Sequence, residues 1–180
     1  MAIPWIDDEP PLYCNRKGAE DRLYSLERYL KRRLDVAEKY CQVLEANVTK
    51  GYIRKLETGE VDDGPSWYLP HFPVVREDKE TTKVRIANDS AARYGAISLN
   101  DTMLPGPKLQ QDIFDVLLRF RRNPVALVAD LTEMFSQVIM GKKDRRYHRF
   151  LWRGLDLTRI PDLYEAITLM FGDCASPYLA

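Results

Sequence analysis

The feature that most constrains the fold is an apolar run, VALVA at residues 125–129, that ends directly at the carboxylate of Asp130. Five consecutive apolar residues are typical of a strand that is buried on both faces of a sheet. A carboxylate at the end of such a strand needs a cation or a basic residue to offset the cost of its burial. We therefore predict a central strand over 125–129 that presents Asp130 to a cleft. An ion pair between Asp130 and a nearby arginine is the alternative.

Composition and charge restrict the class of protein. The 180 residues are 45% hydrophobic, which is enough for the core of one domain or of two closely packed lobes. The formal net charge is zero, yet residues 117–159 hold ten Lys and Arg against four acidic residues. Such a basic block is a solvated face or, beside a supporting site, a nucleic-acid surface.

The cysteines and the N-terminus indicate the compartment. Three widely separated cysteines without a C-x-x-C pair argue against disulfides and structural zinc, and favour a reducing environment. The N-terminal sequence lacks the apolar core of a signal peptide, and no run reaches about 18 apolar residues. We expect an intracellular protein, cytoplasmic or nuclear, that is neither secreted nor bound to a membrane.

Helical periodicity dominates residues 1–66. After an extended, acidic and proline-rich lead-in, Asn15 is suited to cap a first helix. Asp35 and Glu38 resemble a capping box that opens a second helix, and Gly51 would end it. The sequence YIRKL then predicts a short strand. We predict a first region, 1–66, that consists of the lead-in and a helical pair.

Strand patterns dominate residues 67–180. Two prolines restrict WYLPHFPVVRED to an edge strand or an extended segment, and KVRIAND alternates as a strand does. Residues 109–120 predict an amphipathic helix with its apolar side inward. HRFLW and YEAITLMFG predict further strands, with His148 on a strand surface, and Ser176 would cap a final helical turn. Helices and strands do not alternate strictly, so we predict an α+β fold.

Several separated motifs, in order along the chain, resemble a reverse transcriptase of the BEL/Pao class of LTR retrotransposons. They are YLPHFPVVREDKETTKVRIANDSA, SLNDTMLPGP, IFDVLLRFRRNPVALVADLTEMFSQV, HRFLWRG and FGDCASPYLA. The segments DDEPPL, LERYLKRRLDVAEKY and KGYIRKL are similar to what precedes the polymerase core of that class, so the resemblance covers nearly the whole chain. It implies the fingers and an incomplete palm of a right-hand RNA-directed DNA polymerase over 67–180, preceded by the helical pair.

The resemblance also assigns a metal and nucleotide site. Asp130 matches the first catalytic aspartate of the palm and would bind Mg²⁺, with the Leu131 carbonyl as a further ligand. Phe135 matches the aromatic residue that lies under the sugar of the incoming dNTP and excludes a 2′-hydroxyl. Arg85, four residues before Asp89, would hold the triphosphate through its guanidinium group.

Further contacts follow from the same resemblance. Lys79 or Lys83 would be the lysine that contacts the triphosphate. Phe171 and Gly172 match a turn that cradles the nucleotide and the template base. An RNA or DNA template–primer would lie on the basic block, where the candidate contacts are Arg119, Arg145, Arg146 and Arg149.

Two features depart from the pattern of the family. Asp173 takes a position that is usually apolar, where an acid would repel the template strand and the triphosphate. The Tyr-x-Asp-Asp hairpin with the second carboxylate pair has no counterpart, because the Asp-Asp pairs at 7–8 and 62–63 lie in polar loops. A two-metal site needs several carboxylates, so we expect these residues alone to be inactive. Without that hairpin the strand at 125–129 would be unpaired and prone to self-association.

Two other classes of protein stay open. One is a non-catalytic nucleic-acid-binding module derived from such a polymerase, and the other is a protein-interaction domain built on the N-terminal helices. The salt dependence of nucleic-acid binding separates them, because phosphate contacts release counterions. A hydrolase or a nucleotide-binding P-loop protein is disfavoured, since neither a nucleophile motif nor the P-loop glycine spacing is present.

Overall fold

The computed structural model describes residues 1–57, 59–60, 64–76 and 84–180. Two predicted triphosphate contacts, Lys79 and Lys83, and the acidic pair at 62–63 lie outside the described residues. Within the described part, the chain forms four α-helices and five short β-strands. The α+β class predicted from the sequence is therefore confirmed.

Regular elements follow one another along the described chain. In chain order they are α1 (Arg16–Arg32), α2 (Leu34–Thr49), β1 (Ile53–Lys55), β2 (His71–Val75), β3 (Val84–Asn88), α3 (Ile113–Phe120), β4 (Arg149–Trp152), β5 (Asp162–Ala166) and α4 (Ser176–Leu179). Short 3₁₀ turns lie at Asn100–Thr102, Met134–Gln137 and Arg145–Tyr147. None of the helices in the described residues is long and apolar enough to cross a membrane.

The strands form two small antiparallel sheets. One has the order β1, β5, β4, with Ile53 opposite Ala166 and Leu151 opposite Leu163. The other is the hairpin of β2 and β3, in which the proline-containing β2 pairs with β3 alone among the described strands. Because β1 comes from the first predicted region and β5 from the second, the two regions share one sheet.

The larger core lies between the helical pair and both sheets. Leu30 of α1 and Tyr40 of α2 are fully buried in it, and Leu151 of β4 and Leu163 of β5 close it from the sheet side. Burial of this much apolar surface is the main source of stability in a small domain. The predicted regions 1–66 and 67–180 therefore share a core as well as a sheet.

A second core lies under the extended N-terminal segment. Backbone bonds tie this segment down, among them those from the Leu104 amide to the Pro4 carbonyl at 2.8 Å and from the Gly141 amide to the Met1 carbonyl at 2.6 Å. The segment thereby covers a set of buried residues that includes Ile3, Leu12, Trp67, Leu69, Leu99, Met140 and Leu169. The lead-in predicted from the sequence is thus part of the packed structure.

The side chain of Asn15 does not cap α1, although Asn15 directly precedes that helix as predicted. Its amide group instead accepts a hydrogen bond from the Tyr68 backbone amide at 2.7 Å and donates one to the Tyr68 carbonyl at 2.9 Å. The amide therefore acts like the backbone of a neighbouring strand. The Asn15 amide thereby satisfies two buried backbone groups, which stabilises the fold more than a helix cap would.

The predicted capping box of the second helix does not form either. Arg33 is the N-cap, and Asp35 lies inside the first turn, where its carboxylate pairs with the Arg33 guanidinium at 3.2 Å. Glu38 accepts a hydrogen bond from the Gln42 side chain at 3.3 Å. Gly51 follows the helix with a φ of 74°, as expected for a residue that ends a helix.

Two C-terminal boundaries also differ from the prediction. The last strand ends at Ala166 because the Ile167 and Thr168 amides bend away to donate to the Tyr52 carbonyl. Ser176 is the first residue of α4 rather than its cap, and its hydroxyl donates to the Met170 carbonyl at 2.9 Å.

Helix α3 is shorter and more exposed than predicted. It begins at Ile113 because the Asp112 side chain caps it, accepting from the Phe114 amide at 2.8 Å. None of its residues is buried, so the apolar side that was predicted to face inward is exposed. The amphipathic pattern predicted the helix but not a partner for its apolar side.

The predicted central strand at 125–129 is wrong for this structure. These residues are assigned to no helix or strand, they pair with none of the described strands, and Leu127 is 90% exposed. Strand formation requires a neighbour for the backbone N–H and C=O groups, and no part of the described chain supplies one.

His71, the first residue of β2, is buried among aromatic side chains. Its Nε2 lies 2.9 Å from the Leu151 carbonyl, which can only accept, so Nε2 carries the proton and Nδ1 accepts from the Tyr40 hydroxyl. Burial lowers the pKa of His71 to about 4, although the bond to the Leu151 carbonyl acts in the opposite direction. The ring is therefore neutral in the folded protein at neutral pH.

We expect His71 to make the protein less stable as the pH falls. The unfolded ring titrates near 6.5 and the folded ring near 4, so between these values the unfolded state binds the additional proton. The stability lost at about pH 4 is about 3 kcal/mol, and it levels off at lower pH. Urea unfolding between about pH 7 and pH 4 measures it.

The control for this pH dependence is His71→Gln, which keeps a donor and an acceptor but cannot titrate. Its stability should fall less steeply below about pH 6.5 than that of the wild type. Since every other group titrates in both proteins, the difference between the two curves isolates His71. Parallel curves would contradict the prediction.

Candidate functional site

Phe135 and Phe171, two predicted nucleotide contacts, meet edge to face. Their ring centroids are 4.7 Å apart and their planes are inclined by 68°. This geometry is favourable because the positive edge of one ring meets the negative face of the other. Phe135 lies in the turn Met134–Gln137, and Phe171 lies beyond the end of β5 with half of its surface exposed. The fold thus joins two motifs that are distant in sequence.

Gly172 allows the turn after Phe171 to pack closely on β3. Its φ is 121°, and an added Cβ would lie 2.0 Å from the Asn88 carbonyl oxygen, so only glycine fits. The Asn88 amide donates to the Phe171 carbonyl at 3.3 Å. The Asn100 side chain donates to the Gly172 carbonyl at 3.0 Å and accepts from the Cys174 amide at 2.9 Å. The turn is therefore fixed from two sides.

A cavity of about 70 Å³ opens beside Phe171. It has room for a few water molecules but not for a nucleoside. Any nucleotide would therefore lie on the surface of the aromatic pair rather than inside the protein. Residues that line the cavity include Tyr52, Ile86, Asn88, Ser136, Thr168 and Phe171.

Glu133 anchors the loop that carries Phe135. Its backbone has a φ of 55°, and its carboxylate accepts from Lys50 Nζ at 2.6 Å and from the Tyr52 hydroxyl at 2.8 Å. The bond from Lys50 lowers the pKa of Glu133, and the bond from Tyr52 adds to this. This anchor was not predicted from the sequence because its partners lie far upstream, with no local pattern that links them to Glu133.

Asp130 and Leu131, the predicted metal ligands, are exposed on the unpaired segment. Among the described residues, no group of three or more His, Cys, Asp or Glu side chains could hold a metal ion. A two-metal site needs several carboxylates. Asp130 can therefore supply one ligand of a Mg²⁺ site, but the described residues do not supply the other carboxylates that such a site needs.

Arg85, the predicted triphosphate contact, lies on the other face of β3 from the aromatic pair. Side chains alternate along a strand, and Ile86 and Asn88 line the cavity beside Phe171. Arg85 is exposed on the opposite face. The structure does not bring it together with Phe135 and Phe171.

Asp173, predicted to repel nucleic acid, is buried and has two side-chain partners. Its carboxylate accepts from Ser90 Oγ at 2.5 Å and lies 3.1 Å from His148 Nε2. The other ring nitrogen of His148 lies 3.0 Å from the Asp144 carbonyl. Because both nitrogens face oxygen acceptors, the protonated imidazole satisfies both of them.

The pairing of His148 with Asp173 corrects two predictions. Burial alone lowers the pKa of His148, but the Asp173 carboxylate and then the Asp144 carbonyl act against it, and the net pKa is raised above 6.5. His148 is fully buried rather than on a strand surface. The charge of Asp173 is directed into the protein, so it does not face a bound strand.

Three of the four predicted nucleic-acid contacts lie together. Arg145 and Arg146 belong to the turn before β4, and Arg149 is the first residue of that strand. They line a cleft of about 440 Å³ whose other residues are Arg54, Lys142 and Glu165. Arg119 is not part of this cleft; it lies on α3 and donates to the Gln111 side chain at 3.2 Å.

Sheet pairing explains how Arg54 joins this cleft. Arg54 of β1 lies opposite Glu165 of β5, which lies opposite Arg149 of β4. Arg54 Nε donates to Glu165 Oε1 at 2.7 Å. Arg54 was not found from sequence, because the pairing of β1 with β5 has no local signal. Lys142 belongs to the predicted basic block but was not singled out as a contact.

Comparisons with known proteins leave the family open. Neither the protein-family models nor the curated proteins gave a match. Functional interpretation therefore depends on the residues of the chain and on their geometry.

Proposed function

We propose that this chain supplies the nucleotide-binding side of an RNA-directed DNA polymerase, as its fingers and an incomplete palm. The observation that supports this function is the contact between Phe135 and Phe171 beside the tightly packed Gly172. Phe135, Phe171 and Gly172 come from separate motifs of the chain, and the resemblance assigns all three to the site of the incoming nucleotide. In the proposal the sugar of a dNTP lies on Phe135, and Phe171 and Gly172 face its base and the template base.

The ring of Phe135 suits a deoxyribose better than a ribose. A phenyl ring offers no acceptor to a 2′-hydroxyl, so a ribose would give up hydrogen bonds to water without replacement. Phe171 and the anchored loop at Glu133 hold the ring in place. Selection of dNTP over rNTP follows from this rigidity.

Asp130 would provide one carboxylate of the Mg²⁺ site in a complete polymerase. When bound, Mg²⁺ offsets the charge of the triphosphate and of the reacting oxygens. The further carboxylates would come from another polypeptide segment. The part that these 180 residues perform is nucleotide selection and contact with the template–primer.

Replacing Phe135 with valine is expected to abolish the preference for deoxyribonucleotides. The wild-type chain should bind dATP about tenfold more tightly than ATP, and Phe135→Val should bind the two with equal affinity. Isothermal titration calorimetry with each nucleotide, at one Mg²⁺ concentration, measures the ratio.

The control is Phe72→Val, at an exposed phenylalanine on β2 that makes none of these contacts. It should retain the preference of the wild type. Equal affinities for dATP and ATP in the wild-type chain would sink the assignment of Phe135, as would an unchanged ratio in Phe135→Val.

A second function, nucleic-acid binding without catalysis, is favoured by the basic cleft. Arg145, Arg146 and Arg149 line it with two further cations from β1 and from the preceding loop. Guanidinium groups are suited to bidentate contacts with phosphates, and contacts with several phosphates give a strand its affinity. Such binding needs neither Asp130 nor a metal ion.

Arg145→Ala and Arg146→Ala are each expected to weaken binding of an RNA–DNA template–primer. Each should also flatten the slope of log affinity against log salt by about one unit per lost phosphate contact. Fluorescence anisotropy between about 50 and 300 mM KCl measures both quantities. Arg32→Ala, at an exposed arginine at the end of α1, should change neither. A loss of affinity with an unchanged slope would mean that the variants misfold instead.

A further inference from the structure

Residues 113–131 form a continuous stretch with an exposed apolar surface. Large exposed apolar patches are rare on soluble monomers and mark sites of interaction. No residue of α3 is buried, and the segment that follows it is equally open. The exposed apolar side chains are Ile113, Phe114, Val116, Leu117, Leu118, Phe120, Val125, Leu127, Val128 and Leu131.

The residues from 125 to 129 need two kinds of contact. In an extended chain Val125, Leu127 and Ala129 face one side, while Ala126 and Val128 face the other, so both faces are apolar. The backbone also lacks a ladder partner among the described strands. An occupant must therefore supply a strand and an apolar cover together. A second copy of this chain has both, in its own residues 125–129 and in its own α3.

Charges at the two ends of the segment favour one orientation. Arg121 and Arg122 precede it, and Asp130 ends it. Antiparallel pairing of two copies brings the basic end of each to the acidic end of the other, twice by two-fold symmetry. Parallel pairing in register would place arginine beside arginine and Asp130 beside Asp130.

We propose that residues 122–130 pair antiparallel with the same residues of a second copy, centred on Ala126, and that the α3 helices cover the two strands. This register sets Arg122 opposite Asp130 and Pro124 opposite Val128. Along an antiparallel ladder, residue pairs that exchange hydrogen bonds alternate with pairs that do not. The Ala126 pair and the Pro124–Val128 pairs are two positions apart, so they belong to the same class. Since proline has no N–H, this is the class without hydrogen bonds.

This dimer depends on the exposure, pattern and charge of residues 113–131 and not on the proposed polymerase function. Pairing centred on Leu127 would instead place Asp130 opposite Pro124 and lose the charge pairs. The register centred on Ala126 is therefore the one that the sequence of the segment favours.

Sedimentation velocity of the 180-residue chain tests the dimer. The wild type is expected to be a dimer at about 50 μM, and Val128→Lys should raise the dissociation constant at least tenfold, because it buries a charge in the interface. Val128 is exposed in the single chain, so at dilutions where both proteins are monomers its replacement should leave the circular dichroism spectrum and the Tm unchanged. Leu34→Lys, at an exposed leucine that begins α2, should dimerise like the wild type. A monomeric wild type overturns the proposal.

Charge exchange tests the orientation. Arg122→Glu and Asp130→Arg should each weaken the dimer about tenfold, because each places like charges opposite one another. The double variant Arg122→Glu/Asp130→Arg restores opposite charges and should dimerise nearly as well as the wild type. Additive weakening in the double variant overturns the antiparallel pairing.

Disulfide formation tests the register, in a Cys14→Ser background because Cys14 is exposed. The Cα atoms of a pair without hydrogen bonds are about 4.5 Å apart, within the range that a disulfide can bridge. Ala126→Cys should therefore form a covalent dimer on oxidation. Leu127→Cys should not, since its counterpart in the partner is Val125. Cross-linking at 127 but not at 126 overturns the register.

Discussion

Asp173→Ala is expected to lower the free energy of unfolding by about 3 to 5 kcal/mol, the cost of removing one partner of a buried charge pair. The variant leaves His148 Nε2 and Ser90 Oγ without the carboxylate that both contact at present. Both groups are buried, so water cannot easily replace it. Urea unfolding at about pH 6 measures the loss.

Asp173→Asn is the matched variant. An asparagine of the same shape can accept from Ser90 and donate to Nε2 of a neutral His148, so the loss should be about 1 kcal/mol. It should also change the pH dependence. The raised pKa of His148 contributes stability that is fully present below about pH 6.5 and is lost as the pH rises through its folded pKa. This contribution should be absent in Asp173→Asn, and a pH profile like that of the wild type would contradict the assignment.

Asp173 also shows where sequence reasoning reached its limit. As a residue in a glycine-containing turn, it was expected to face a bound strand and to repel it. Its direction depends on His148, which is 25 residues away and enters the same core from the position directly before β4. A pattern along the chain does not show such a partner. Asp173 was therefore predicted to repel a bound strand, whereas in the structure it forms a buried pair with His148.

Elements with a clear period were predictable. The helices α1 and α2 and the strands β1 and β3 lie where three- to four-residue spacing or alternation predicted them. Their ends were less predictable because tertiary contacts determine them. The Asn15 side chain, for example, pairs with the Tyr68 backbone instead of capping α1.

The segment at 125–129 shows the difference between apolar character and burial. Its apolar composition is typical of residues that are buried inside a sheet. Whether they are inside depends on a neighbour, and none of the described strands lies beside them. The same holds for α3, whose pattern predicted a helix with an apolar side but gave no information about what covers that side.

Candidate site residues were predicted unevenly. Phe135, Phe171 and Gly172 lie together as the motif order implied. Asp130 is exposed on the unpaired segment and Arg85 lies on the other face of β3, and the roles of all five stay predictions. The residues that were missed include the Glu133 anchor and Arg54 of the basic cleft. Each of these acts through a partner from another element, so local sequence gave no signal.

A second buried ion pair, between Glu27 of α1 and Arg153 after β4, joins the helical pair to the larger sheet. The guanidinium binds both carboxylate oxygens at 2.6 Å, and the two side chains are only 4% and 10% exposed. Arg153 also lies over the Tyr24 ring, with its Cζ 5.4 Å from the centroid. Arg153 was part of the basic block predicted to contact nucleic acid, but its guanidinium group forms an ion pair with Glu27 inside the protein.

Arg153→Met is expected to destabilise the protein by about 3 to 5 kcal/mol, because it leaves the Glu27 carboxylate buried without a counter-charge. The double variant Glu27→Leu/Arg153→Met should recover most of this loss. Two apolar side chains avoid the desolvation cost of both charges, and the freed Leu157 and Arg159 carbonyls can bind water. Guanidinium chloride unfolding of the wild type, both single variants and the double variant gives the coupling energy, which should reach several kcal/mol. A double variant no more stable than Arg153→Met would show that α1 is held against β4 by packing around the pair and not by the charges themselves.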